Sequence, residues 1–253
     1  KRYDFVYINT VVVLDFILAS RLARANTLIH VREIPASLPA QIIFSLILLL
    51  SRASIIFNSA NTKKAFMFLG GKKCYVVLNG VEGFRNVPSL EMREPGKELR
   101  LLLIGRINSW KGHSLLLEAL AGLAESKEKF SLRIVGDVAE GQEQLKQDLI
   151  EQVERLGLES SVEIHPFTDN PEAHFAWSDA TVVPSTKPEP FGRIAAEALS
   201  AGRPVIAARH GGLTEIIKDG QNGLLFEPNR VEDLQAKLRY ALTHREQLNV
   251  MGA

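Results

Sequence analysis

"ATVVPSTKPEPFGRIAAEALSAGRPVIAARHGGLTEIIKDGQNGLLFE", residues 180 to 227, holds three short apolar runs separated by longer polar or small-residue stretches. The runs 180–185, 204–208 and 223–227 have the length and β-branched content of strands, and "RIAAEALSAG" between the first two reads as a helix. Strands that alternate with helices form βα units, and βα units build parallel sheets. Outward from this stretch the alternation continues. Strands fit 99–105, 131–136 and 161–165, helices fit between them, and a last helix lies near 231–243. Six strands with intervening helices make a complete doubly wound domain over 99–253.

The first third repeats the alternation on a smaller scale. Strands fit 5–9, 27–31, 54–59 and 75–79, and helices fit about 10–24, 39–51 and 60–69. Four strands read as the back half of a similar domain, assigned to 1–86. Between the two, "VEGFRNVPSLEMREPGKE" (81–98) has two prolines, two glycines and many charges, which places a linker at 87–98. No internal repeat or low-complexity tract interrupts this order. The chain opens "KRYDFVYIN", already in a strand-like segment, with neither an initiator methionine nor a signal pattern, so it reads as a fragment with a truncated first domain.

Composition narrows the function classes. With 253 residues and 46% hydrophobic content the chain can bury a core or two. Thirty basic residues against 29 acidic ones give no general reason to invoke nucleic acid, so any basic site is local. The single cysteine, Cys74, excludes an internal disulfide, suits a cytoplasmic, reducing compartment and reads as a packed side chain. The run "IIFSLILLL" (42–50) is far short of the ~20 residues that span a bilayer and reads as a buried helix, although it permits a peripheral membrane association.

In open parallel sheets, ligands bind beyond the carboxyl ends of the strands. After 99–105 comes "GRINSWKGH", where Gly105, Arg106 and Lys111 make a candidate diphosphate site, since each cation can pair phosphate oxygens. Taken alone, the loop reads as ordinary surface charge. It matches neither a G-x-G-x-x-G fingerprint nor a Walker A loop, which removes the usual support for hydride transfer and P-loop chemistry. After 180–185, Pro190 and Gly192 shape a turn that presents the N–H groups of Phe191, Gly192 and Arg193 at a helix N-terminus, a position that favours an anion. Glu197 follows Arg193 by four residues, on the same helix side, where its two oxygens can accept two ribose hydroxyls. Glu189, on the turn, reaches outward to what the diphosphate carries. The competing reading makes Glu189 a helix-end charge and Glu197 an exposed residue, but the neighbours in "IAAEAL" argue for burial of Glu197.

These motifs, in this order, resemble the signature of family-4-type retaining glycosyltransferases of the GT-B fold: a glutamate, seven residues, a second glutamate, then small-Gly-x-Pro-Val and Gly-Gly-x-x-Glu. "GRINSWKGHSLLLEAL", "LRIVGD", "VEIHPFTDN", "FNSANTKKAF" and "VVLNGVE" resemble further segments of that family in register. The resemblance implies a GT-B-like α/β fold with two Rossmann-like parallel-sheet domains. It implies that Arg106 and Lys111 hold the donor diphosphate, that Glu197 takes the ribose, and that Glu189 contacts the transferred sugar. The backbone of Phe191, Gly192 and Arg193 would face phosphate and sugar, and the base would lie near Pro166 and Phe167. His30, ending "TLIH", stands where the family often has a histidine near the donor sugar; a structural hydrogen-bonding role fits it as well. Arg193 departs from the aliphatic residue usual in this turn.

The expected function is therefore glycosyl transfer from a nucleotide-diphosphate sugar, with retention, to a glycan, lipid-linked or small-molecule acceptor. No cofactor is expected. No metal is expected either, because two cations can stabilise the leaving diphosphate and no Asp-x-Asp or His/Cys ligand set is present. A non-catalytic nucleotide-sugar-binding module is the alternative. A paired-carboxylate glycosidase is disfavoured, since no motif places a second carboxylate opposite Glu189.

Overall fold

The computed structural model describes residues 4–84 and 98–252, in two compact units. One comprises residues up to 80 together with 188–192; the other comprises 81–187 and 193 onward. The linker expected at 87–98 lies outside the described residues except for Glu98.

The first unit is built from β1 (Val6–Ile8), α1 (Leu14–Leu22), β2 (Thr27–Val31), α2 (Leu38–Leu50), β3 (Ser54–Phe57), α3 (Ala60–Lys64) and β4 (Cys74–Val76). Its sheet runs β1-β2-β3-β4 with every pair parallel, and Ile29, Val31, Ile55, Phe57, Ile17 and Leu48 form its core. Parallel neighbours in sequence order need crossovers, and α1, α2 and α3 supply them. Cys74 is partly buried against this core, and burial pushes its thiol pKa up.

Two expectations about this unit are corrected. Residues 60–69 do not form one helix. Ser59 caps α3 by accepting from the Thr62 N–H at 2.9 Å, but Phe68 takes a φ of 61° and Met67 N–H bonds the Ser45 hydroxyl at 2.9 Å, so the chain has turned away. The 42–50 run is helical but not buried: Ser45 and Leu48 are its buried residues, while Ile42, Ile43, Leu46 and Leu50 are exposed. A helix apolar on every side usually belongs in a core, yet only one stripe of this one faces the sheet.

The second unit holds β5 (Leu99–Ile104), α4 (His113–Glu125), β6 (Phe130–Val135), α5 (Glu143–Arg155), β7 (Val162–His165), α6 (Glu172–Trp177), β8 (Ala180–Val183), α7 (Arg193–Ser200), β9 (Val205–Ala208), α8 (Leu213–Ile216), β10 (Gly223–Phe226), α9 (Val231–Thr243) and α10 (Arg245–Gly252). The sheet order is β10-β9-β8-β5-β6-β7, all parallel. Leu101 and Leu103 pack with residues of α4, α5, α9 and α10 on one face, and Leu102 packs with Phe175, Ala195, Ala198 and Leu213 on the other. Both faces are therefore covered, which is why the strands read as nearly continuous apolar runs. A buried ion pair, Arg245 to Asp179 at 2.7 Å, ties α10 to the start of β8.

Candidate functional site

The strand order of the second unit reverses at β5, whose two neighbours are β6 and β8. A doubly wound sheet opens its ligand crevice at such a switch point, beyond the carboxyl ends of the strands. The loops that leave β5 and β8 are the two that the sequence singles out.

The loop after β5 is held from below. Asn108 Oδ1 accepts the N–H groups of Trp110 at 3.1 Å and Lys111 at 3.0 Å, which fixes the turn that delivers Lys111. The Lys111 stem passes over Gly105, 3.8 Å from where a Cβ would sit, and its ammonium lies 4.5 Å from the Trp110 ring centroid. Arg106 is exposed on the same loop. The structure thus brings Gly105, Arg106 and Lys111 together at the end of β5.

The loop after β8 is tied to the first: Thr186 N–H bonds the Trp110 carbonyl at 2.8 Å, and His210 Nε2 lies 2.8 Å from the Ser185 carbonyl oxygen. Gly192, at a φ of 98°, turns the chain immediately before α7. Glu189 is 6% exposed and Phe191 is buried, while Pro190 is half-buried.

Glu197 is 8% exposed, as its alanine-rich setting suggests. Arg193 Nε donates to Glu197 Oε1 at 2.6 Å, an i,i+4 pair on α7 that the spacing of the two residues allows. Arg193 is itself mostly exposed, so its charge sits at the rim and holds one oxygen of a buried carboxylate. The pair uses one acceptor position of that oxygen, and the carboxylate has further acceptor positions on both oxygens.

Pro166 and Phe167 follow β7 and are exposed. Sequence reasoning missed what positions them. Asp137, at the end of β6, accepts the Phe167 N–H at 3.2 Å through one oxygen and the Lys146 ammonium at 2.6 Å through the other. The Lys146 hydrogen bond, then that of Phe167, holds the Asp137 carboxyl below the usual carboxylate range. Its signal was positional, an acid directly after a strand-ending glycine in "IVGD".

His30, in the first unit, is half-buried, with Nδ1 2.7 Å from the Tyr7 hydroxyl and no hydrogen-bond partner at Nε2. Burial lowers its pKa, the Arg32 charge lowers it further, and Glu33 opposes both. It is therefore a neutral imidazole near pH 7, held from one side.

His113, the first residue of α4, was not singled out by sequence. It is buried with neither ring nitrogen hydrogen-bonded, and burial, aided by the Lys111 charge, lowers its pKa from 6.5 to about 4. The folded chain therefore refuses a proton that the unfolded chain accepts. Above about pH 6.5 both states are neutral and this group adds no pH dependence. Between there and about 4 the unfolded state alone gains the proton, and stability should fall by roughly 3 kcal/mol. Urea denaturation across that window should show the slope, and His113→Leu should flatten it; an unchanged slope would rule out this histidine as its source.

Two parallel α/β sheets, one with a cation-bearing loop at its switch point and a buried glutamate on α7, define a GT-B-type architecture with a candidate nucleotide-sugar site. Residues 91–253 match the family described as Glycosyl transferases group 1, and the chain belongs to that family. Among curated relatives, D-inositol 3-phosphate glycosyltransferase of Segniliparus rotundus is 33% identical over 163 residues, covering 63% of this chain and 35% of that one. Mannosylfructose-phosphate synthase of Agrobacterium fabrum is 33% identical over 162 residues, covering 60% and 35%. The matches thus span about a third of the length of these relatives. Anabaena HepE, solved in complex with UDP-glucose, superposes with a TM-score of 0.83 at 26% identity, over 99% of this chain and 72% of that one. Sucrose-phosphate synthase of Thermosynechococcus elongatus shares the fold, with a TM-score of 0.79 at 20% identity over 99% of this chain and 67% of that one.

Proposed function

We propose that this chain carries the donor-binding part of a retaining, metal-independent glycosyltransferase that uses a nucleotide-diphosphate sugar. The observation that carries the reading is the pairing of two loops at one switch point, Lys111 folded over Gly105 after β5 and a buried Glu197 beside the loop after β8. Lys111, Arg106 and the N-terminal end of α7 would neutralise the departing diphosphate, which is electrostatic catalysis by charge placed in advance. Glu197 would hold the ribose, and the loop that Asp137 fixes at Phe167 would take the base. Glu189 would orient the transferred sugar, and His30, neutral and with Nε2 unengaged, is the further group assigned to the transfer. The second unit is accordingly the donor-side domain and the first the acceptor-side one. UDP is the nucleotide to test first, because HepE was solved with UDP and with UDP-glucose.

Calorimetry on the natural protein tests the ribose assignment. Glu197→Ala should weaken UDP binding by about 10–100-fold, the worth of a charged hydrogen bond, and 2′,3′-dideoxy-UDP should bind wild type and variant alike. Equal UDP affinity in the two proteins would remove Glu197 from the site. Turnover of UDP-glucose unaffected by a chelator supports the metal-independent reading, and binding without turnover would assign a non-catalytic module instead.

A further inference from the structure

Arg193 stands where helix physics does not favour it. It is the first residue of α7, whose first turn holds no acid, and a cation there meets the positive end of the helix dipole. Helices α5, α9 and α10 follow the usual preference, with Glu143, Glu232 and Glu246 in their first turns. The order of the Arg193–Glu197 pair is also the weaker one, because i,i+4 pairs stabilise a helix best with the acid on the N-terminal side. With its side chain 73% exposed, Arg193 packs over little of the protein. Neither helix stability nor packing explains this residue.

Glu197 does explain it. A buried carboxylate needs hydrogen-bond donors. One turn away on α7 and just past its end lie Arg193, Ile194, Ser200 and Ala201. Of these only Arg193 and Ser200 have side chains that donate, and the Ser200 hydroxyl donates to the Glu197 backbone carbonyl at 2.7 Å. Arg193 is therefore the neighbour that fixes the carboxylate, through a short, charge-assisted bond from Nε to Oε1 at 2.6 Å. Acceptor positions remain on both oxygens of Glu197.

We propose that Arg193 is a positioning residue of the donor site: its guanidinium holds the Glu197 carboxylate in the orientation that receives the ribose hydroxyls. Its effect on nucleotide binding passes through Glu197, so this role rests on the assignment of Glu197 to the ribose. A carboxylate held in advance does not have to lose its rotamer freedom when the ligand arrives, which is how preorganisation raises affinity. The cost falls on α7, which carries a cation at the wrong end. Functional positions are where such local rules are broken.

Calorimetry with UDP tests this on the natural protein, on Arg193→Met, on Glu197→Ala and on the double variant. Arg193→Met should weaken UDP binding about tenfold, the lower end of what a charged hydrogen bond is worth. In the Glu197→Ala background the same change should have no further effect, the non-additivity of residues that act as a unit. 2′,3′-Dideoxy-UDP, which has no ribose hydroxyl to offer Glu197, should bind Arg193→Met as it binds wild type. Arg193→Lys should recover part of the loss, since the charge returns without the planar fork. Urea denaturation should find Arg193→Met at least as stable as wild type, where a residue kept for the fold would lose stability. Unchanged UDP affinity in Arg193→Met beside weak binding by Glu197→Ala would overturn the role of Arg193 and leave the ribose reading intact. Equal losses for UDP and dideoxy-UDP would also overturn it, giving Arg193 to the phosphates if stability is kept and to the fold if it is not. Wild-type UDP affinity in Glu197→Ala would remove the ribose reading, and the role of Arg193 with it.

Discussion

Lys111→Ala should lower the turnover of the natural protein by about 10²–10³-fold, with much less effect on its stability. The expected size is that of removing one preorganised charge or donor from a developing negative charge. The geometry separates that loss from unfolding. The Lys111 backbone is held by Asn108 Oδ1 at 3.0 Å, a bond the alanine keeps, and the side chain is only half-buried over Gly105. What the variant loses is the ammonium and a cation–π contact with Trp110, which at exposed sites is worth about 0.5–1 kcal/mol. Lys111→Arg should recover part of the activity, since the charge returns with a different shape and reach. The measurement is kcat and KM for donor hydrolysis or transfer, beside a denaturation curve. If kcat stays within a few-fold of wild type while the protein remains folded, Lys111 is a surface lysine and the diphosphate assignment fails.

The placement of the candidate residues after strand ends was legible because ligand crevices in parallel sheets lie beyond those ends, and strand ends can be read. The strand at 27–31 and the helix at 231–243 stand where periodicity puts them. Strand ends elsewhere were read long for a local reason. Residues 58 and 59 look strand-like, yet Ser59 serves as the cap of α3, a role its hydroxyl plays in any helix-starting context. What sequence did not deliver were contacts between segments. Asp137 finds Phe167 thirty residues away, because β6 and β7 run parallel and end together. Nothing in either segment alone announces that bond.

The exposed α2 illustrates the opposite limit. A helix with apolar residues on every side has no pattern to say which side faces the sheet, so composition implied burial where packing gives one buried stripe. The Arg193–Glu197 pair was within reach of the i,i+4 rule. Each residue taken singly suggests a ligand contact, and only their spacing points to the pair.

Gly112→Ala should destabilise the chain by about 2–5 kcal/mol and should also weaken nucleotide binding. Gly112 precedes α4 with a φ of 79°, where a non-glycine residue costs about 1–2 kcal/mol. Beyond that, an alanine Cβ would lie 1.9 Å from the Pro184 carbonyl oxygen and 2.6 Å from its carbon. Both atoms are backbone, and overpacking of this kind adds about 1–3 kcal/mol. Relief requires the loops after β5 and β8 to separate, against the Thr186 to Trp110 hydrogen bond at 2.8 Å. That separation moves Lys111 away from the segment that leads to Glu189, so stability and affinity should fall together. Gly141→Ala isolates the conformational part: its φ is 78°, and nothing lies within 4 Å of its Cβ position. Urea denaturation of both variants gives the difference. If Gly112→Ala costs no more than Gly141→Ala, the close approach of the two loops is not what fixes this glycine. If it costs more and UDP binding is nonetheless unchanged, the two loops do not form one site.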